Sequence, residues 1–461
     1  MSLTNLPEGP SLPSLLQTLA LVAQPIAFLE RCAQRYGDTF TTRVLGWQSP
    51  PVVFLSDPAA IAQIFTAPVG QFELGKVTHV FRPLTGDQSL MMLDGERHQQ
   101  QRQLLMPPLH GDRMRTYGQL ICDLTRQVVG DWTLHQSFSI QASALEISLQ
   151  VILRVVFGMS PGSRYQELKQ LLHDLLESVT SPLYSSQFFF PLLQQNLGAW
   201  SPWGAFLQQQ QKIDALVYAE IQERRSHFDP SREDVLTLLL SARDEAGQTM
   251  TDEELRDQLM TLLLLGHETT ASALSWAFYW VHREPSVLQR LRQELDPLGN
   301  KPDPDRLAQL PYLTAVCKES LRIYPIALIS QPRKVKQAIT IGSHTFAPGS
   351  ILIPCIYLAH RRAQTYPQPD RFLPDRFLQQ KFSPSEFLPF GGGLRSCIGA
   401  AFALYEMKLV LATVLACYDL SLVQQGSIQP ERRGITFVPS KNFRLSAIAC
   451  RNTAVTAGVR G

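Results

Sequence analysis

Along residues 259–281, LMTLLLLGHETTASALSWAFYWV, apolar side chains surround the helical wheel except at the centre, where Gly266, His267, Glu268, Thr269 and Thr270 interrupt them. The stretch is long enough to cross a bilayer, but a carboxylate facing lipid at mid-depth is costly, so the pattern predicts a helix buried in a protein core. Glycine beside threonines that can bond back to carbonyls predicts a kink or an opened turn at that centre. Helical periodicity runs through much of residues 96–300, and a second apolar run, 400–416, predicts another buried helix. Strand-like pieces fall at 39–45, 52–55, 338–346, 351–356 and 435–437. The chain reads as mainly α with small β-sheets.

Composition narrows the class. The 461 residues are 44% hydrophobic and 18% charged, enough to bury a large core, and the net charge of +2 signals neither a nucleic-acid surface nor an acidic tail. No repeat or long linker divides the chain, so we expect a lead-in over 1–30, a single domain over 31–450 and a tail over 451–461. The first thirty residues lack a basic leader, and Gln17, Gln24 and Pro25 cut their apolar stretch, which argues against a signal peptide or a membrane span. Pro7, Pro10 and Pro13 suggest an extended segment, followed by leucines able to dock on the body or touch a membrane surface. Seven dispersed cysteines, with no CxxC pair, fit free thiols in a reducing cytoplasm rather than a disulfide framework or a zinc site.

Two local patterns carry candidate chemistry. Cys397 lies in FGGGLRSCIG, past three glycines and just before the second apolar helix, as a free core thiol, a nucleophile or a lone metal ligand. Glu319 and Arg322 sit three apart in AVCKESLRIYP, on one helical face, where such pairs are usually exposed and contribute about 0.2–0.5 kcal/mol.

Taken in order, GHETT, ExxR and FGGGLRSCIG resemble the cytochrome P450 superfamily, the haem-thiolate monooxygenases, over essentially the whole chain. The FxxGxRxCxG signature is complete in Phe390, Gly393, Arg395, Cys397 and Gly399, with Phe402, Ala403 and Glu406 continuing the helix. DGERHQQQRQLLMPPLH and RRGITFVP look, more loosely, like soluble cyanobacterial members associated with lipids. The resemblance implies a P450 fold with haem b between the long central helix and the cysteine-loop helix. It makes Cys397 the axial ligand, a thiolate pushing more electron density to iron than imidazole does. Phe390 would shield the sulfur, and the loop glycines, Gly391 and Gly399 among them, would let backbone approach the macrocycle. The implied propionate partners are His98, Arg102, Arg333 and Arg395, with His360 a weaker choice. Arg376, in PDRF, is implied as third member of a buried network with Glu319 and Arg322.

On the distal side the resemblance assigns Thr269 to ordering oxygen and its water, and Glu268 to a proton path from solvent. Pocket walls are expected from residues 90–93, from 188–193, from Leu264 and Leu265, from Ile326, Ala327, Leu328 and Ile329, and from 435–437, including Thr436 and Phe437. All but a few of these side chains are apolar, which points to a fatty acid, terpenoid or similar hydrophobic substrate. Leu265 departs from the family pattern, which has alanine or glycine there, and should narrow the space above iron. No flavin or nicotinamide domain follows the cysteine, so ferredoxin and ferredoxin reductase are the implied electron donors to a monomeric, O2-using enzyme, with Arg97, Arg113, Arg115 and Lys408 as a docking face. Two alternatives stay open: peroxide rearrangement without external electrons, and a haem-based sensor or carrier.

Overall fold

The computed structural model describes residues 6–451, apart from 48, 69, 181–183, 185, 186, 189–192, 199, 300, 425 and 435, and for 75–77 the backbone alone. Its axis is the Asp252–Arg283 helix, which begins in a reciprocal capping box between Thr251 and Glu254 and carries Asp252 and Glu253 in its first turn, with His282 and Arg283 in its last. Both ends therefore suit the helix dipole. Against it pack the helices Ile140–Val155, Ala400–Cys417, Pro311–Ile323 and Pro202–Ser226, and the strand Thr436–Pro439. The main apolar core is the seam between them, with Trp276, Leu274, Leu263 and Leu409 fully buried.

The central helix is assigned as continuous across residues 266–270, without the opened turn expected there. Hydroxyls take up the strain instead. Thr269 Oγ1 donates to the Leu265 carbonyl at 2.5 Å, Thr261 does the same to Asp257, and Ser272 and Ser275 bond back to Glu268 and Ala271. Back-bonding of this kind satisfies a buried hydroxyl inside an intact helix.

A five-stranded sheet lies to one side, in the order Thr39–Thr42, Val52–Leu55, Ile351–Pro354, Arg333–Val335, Phe72–Glu73. The Val52–Leu55 and Ile351–Pro354 strands pair in parallel, and all four side-chain positions of each are buried, as expected for strands covered on both faces. The apolar alternation seen over 39–45 ends as strand at Thr42, and 338–346 splits into a hairpin, Ile339–Ile341 and His344–Phe346, around Gly342 at φ +57°. After Pro354 the chain turns into the short helix Ile356–Ala359 rather than continuing as strand. A three-stranded sheet of Ser137–Phe138, Leu445–Cys450 and Tyr418–Leu422 and a hairpin of Pro430–Arg433 with Thr436–Pro439 complete the β content.

At the N-terminus the helix Pro25–Tyr36 runs straight through residue 30, the expected end of the lead-in, and buries Phe28, Leu29 and Cys32 in the body. Before it, residues 14–23 are helical, and the Glu8 carbonyl accepts from the Thr41 amide, so residues 8–30 are already built into the sheet side. Of the expected tail only Arg451 lies within the described residues, where it is held by Asp296. Among the described helices only Ala400–Cys417 is long and apolar enough to cross a membrane, and two thirds of it (67%) is buried in the core.

Candidate functional site

The cysteine loop is a tight backbone construction. The Cys397 amide donates to the Phe390 carbonyl at 2.9 Å and the Ser396 amide to Gly393 at 3.1 Å. Gly391 and Gly393 sit at φ +65° and +66°, and a Cβ on Gly393 would stand 2.5 Å from the Phe65 carbonyl oxygen, so only glycine fits there. Gly399 then caps the Ala400–Cys417 helix. Cys32, Cys122, Cys317 and Cys355 are core thiols, whereas Cys397 is exposed. Its thiol is raised by burial, while the Gly399 N–H and the Arg102 guanidinium pull it down. On balance the thiol is held above its ordinary value, the Gly399 N–H and Arg102 offsetting only part of the burial cost.

Near this loop the structure gathers basic residues from three parts of the chain. His98, on the Gly95–Leu105 helix, is buried, and burial together with Arg395, Arg102 and Arg333 pushes its pKa down to about 3. Arg333 is pushed down to about 10 by burial and by Arg395, and Arg395 to about 10 mainly by burial. Arg102 donates to the Ser396 carbonyl and hydroxyl at 2.7 and 2.8 Å, which ties the helix to the cysteine loop. Arg395 reaches the carbonyls of Leu90 and Leu93 and the carboxylate of Asp94. A cleft of ≈ 390 Å³ opens beside His98, Arg333, Gly392 and Arg395. Three guanidiniums and an imidazole meet there, with Asp94 the one carboxylate bonded to them among the described residues. Such an arrangement calls for further negative charge.

His360 belongs elsewhere. It is fully buried, accepts from the Leu388 amide at 3.0 Å and stacks on Phe387 at 5.5 Å, so it steadies the start of the cysteine loop and is not a propionate partner. Its carbonyl accepts from Arg322, which leads to the ExxR pair. Glu319 and Arg322 are wholly buried, unlike most pairs at this spacing and in keeping with the buried network that the resemblance implied. Glu319 accepts from Arg322 at 2.7 and 2.8 Å, from the Leu373 amide at 2.8 Å and from Arg376 at 3.2 Å. Arg322 spends its remaining donors on the carbonyls of His360, Pro369 and Arg371. This satisfied network fixes residues 367–376 beneath the loop that carries Cys397.

Midway along the central helix, Leu265, Gly266 and Thr269 stay partly exposed. Leu264 packs into the main core, while Leu265 joins none of the apolar clusters of the described residues; four residues before Thr269, it shares that residue's face. Glu268 is buried, and burial pushes its carboxyl up to about 7, against the opposing pull of Arg433 and the Thr436 hydroxyl. Arg433 was not singled out by the sequence. Its Nε lies 2.9 Å from Glu268 Oε1, but the N–H points off the line, and neither atom has an aligned hydrogen-bond partner.

The expected pocket walls divide. Ile326 belongs to the main core; Leu328 and Phe437 pack together under the five-stranded sheet, with Ile329 against them, and Ala327 packs near Leu388. Leu90 and Leu93 are buried. Ile435 and most of 188–193 fall outside the described residues. Of the cations considered for docking, Arg97 and Arg115 are exposed, while Lys408 is half-buried and donates to the Ala308 carbonyl.

The family model for Cytochrome P450 matches residues 7–447. The proteins named cytochrome P450 135B1 of Mycobacterium tuberculosis and Mycobacterium bovis are 36% identical over 455 residues, 98% of this chain and 93% of theirs. Cytochrome P450 138 of Mycobacterium tuberculosis is 33% identical over 96% of both chains. Among solved structures, retinoic acid bound cyanobacterial CYP120A1 superposes with a TM-score of 0.81 at 25% identity, covering 96% of this chain and 99% of that one. The chain belongs to the cytochrome P450 family: it is a haem-dependent monooxygenase, an oxidoreductase using O2 on a small-molecule substrate, whose iron is held by an axial cysteine thiolate. The residues present fit that group: an exposed cysteine with the Gly399 N–H and Arg102 beside its sulfur, a tight glycine loop around it, and guanidiniums in excess of their acids for its carboxylates.

Proposed function

We propose that this protein inserts one oxygen atom into a hydrophobic, lipid-like or terpenoid substrate, with electrons from a ferredoxin and its reductase. The observation that carries the reading is the open Cys397 thiol below the buried cation cluster. When bound, the haem activates dioxygen for insertion into a C–H bond. Cys397 would hold the iron, and the Gly399 N–H and Arg102 would offset part of the cost of ionising its sulfur. His98, Arg102, Arg333 and Arg395 take the carboxylates of the cofactor, and Phe390 covers the sulfur. Across the cleft, Thr269 orders water on the distal side, and Glu268 passes protons inward from solvent, its carboxyl poised near neutrality. Leu265, outside the apolar clusters that take up Leu264, Ile326, Ala327, Leu328, Ile329 and Phe437, restricts which carbon of the substrate approaches. CYP120A1 with bound retinoic acid supports a lipid-like substrate for a chain of the same fold. The free cysteines support work in the reducing cytoplasm, as a monomer.

Turnover of a lipid and terpenoid panel with a reconstituted ferredoxin system tests this. Hydroxylated product that depends on NAD(P)H is the expected result. Product from hydroperoxides alone would instead mean peroxide rearrangement, and none from either source a sensor or carrier.

A further inference from the structure

We propose that Arg433 is a positioning residue for proton delivery: carried at the end of the Pro430–Arg433 strand, which pairs with Thr436–Pro439, it holds the Glu268 carboxylate at the central helix and keeps it able to exchange a proton. This rests on the relay role proposed for Glu268. The hairpin is fastened to the two elements that frame the pocket. The Phe437 carbonyl accepts from Trp276 Nε1 at 2.8 Å, and the Phe437 amide donates to Ile326 at 3.2 Å. The Thr436 hydroxyl closes the turn onto the Arg433 carbonyl at 2.8 Å, in register with the Arg433–Thr436 strand pair. At the tip, a Cβ on Gly434 would lie 3.9 Å from Thr180, the last residue of the Ser163–Thr180 helix. Arg433 therefore projects from a fixed element onto one target, and among the described residues its only acidic partner is Glu268.

The contact is made to hold, not to neutralise. An aligned bidentate pair, such as Arg322 makes with Glu319, occupies both carboxylate oxygens. Here one nitrogen approaches one oxygen off-line, so attraction offsets part of the burial cost and leaves the oxygen free to take a proton. The other groups nearby do not supply that attraction. His267, next on the helix, turns away and bonds the Leu145 carbonyl at 2.9 Å, and burial keeps its ring neutral at neutral pH. Thr436 contributes only a hydroxyl. In the step itself, Glu268 gives its carboxyl proton to distal water and regains one from the solvent side, so the residue ends unchanged. Without Arg433 the buried carboxyl would keep its proton too firmly to pass it on.

The test uses haem-loaded enzyme and reads the Glu268 carboxyl directly, by infrared difference titration with Glu268→Gln as the reference that identifies its band. Arg433→Gln should move the midpoint up by about one unit or more, a tenfold or greater fall in acidity, while Arg433→Lys should restore most of the wild-type midpoint. With any substrate that turns over, Arg433→Gln should also raise the share of electrons lost as peroxide and enlarge the solvent deuterium isotope effect. An unchanged midpoint in properly loaded Arg433→Gln would overturn the proposal, as would a shift that Arg433→Lys fails to rescue. The titration requires neither substrate nor redox partner, so its failure is distinct from a wrong substrate class. If Arg433→Gln loads haem poorly, the wild-type titration and Arg433→Lys still decide: a shift in Arg433→Lys as large as that of an uncharged residue contradicts a charge-based hold.

Discussion

Glu319 and Glu268 are both buried beside arginine, yet they sit in opposite electrostatic settings. Glu319 receives four protein hydrogen bonds from two guanidiniums and an amide. Glu268 has one ion-pair contact that is off-line, and its carboxyl is raised to about 7. The first carboxylate is fully bonded scaffolding that ties the Pro311–Ile323 helix to Leu373 and Arg376; the second, with its carboxyl near 7, can change charge at working pH. Satisfied networks rigidify, and half-satisfied ones titrate. The proximal and distal halves of one site thus use the same residue types for different ends, decided by how many donors reach the oxygens.

The contrast breaks most visibly at Glu319. Glu319→Ala leaves Arg322 and Arg376 as buried cations without their acid, a loss of about 3–5 kcal/mol, and we expect little folded, haem-loaded protein by absorbance and circular dichroism. Normal loading would mean that the network is dispensable. Thr269→Ala should do the reverse: folding and haem content persist, the lost hydroxyl bond costing about 0.5–1.5 kcal/mol, while NAD(P)H oxidation runs increasingly to peroxide. Unchanged coupling would remove Thr269 from the proton path.

A pH series sharpens the same comparison more gently. Because Glu268 is raised when folded, the unfolded chain releases this proton first, and stability falls as pH rises from about 4.5 to about 7, then levels. The slope approaches about 1.4 kcal/mol per unit at most. Glu406, raised by burial to about 8, extends a similar decline to higher pH, so the Glu268 share is read as the difference between wild type and Glu268→Gln in denaturant melts. That difference should open between pH 4.5 and 7 and stay constant above it. A parallel pair of curves would mean Glu268 is not raised.

The smallest expected effect is at Leu265. Leu265→Ala should keep activity and broaden the product distribution, with a stability loss below the about 2–5 kcal/mol usual for a buried leucine, because the side chain borders a cleft. Identical regiochemistry across chain lengths would show that it points away from the reacting carbon.

What could be read from the sequence follows the range of each signal. Cys397 with its glycines, Glu319 with Arg322, and the Gly266–Thr270 centre are local patterns, and a local pattern survives without knowledge of the fold. The Val52–Leu55 strand was equally plain, since four apolar residues between turn formers have few other uses. Arg433 was invisible because nothing near it announces that its hairpin lies against the middle of a distant helix. His360 was misassigned for the same reason: a histidine beside two arginines resembles an anion site until Leu388 and Phe387 are seen to occupy its ring. The kink failed because glycine and threonine permit an opened turn without requiring one, and back-bonding to Leu265 served instead.

All of this presumes that the sulfur between the two walls is the iron ligand, and one spectrum decides it. Purified protein, reduced and treated with carbon monoxide, should give the strongly red-shifted Soret band of a thiolate adduct, and Cys397→His should lose that band. A wild-type spectrum of the ordinary histidine-haem kind, or a thiolate band that survives Cys397→His, would contradict the account.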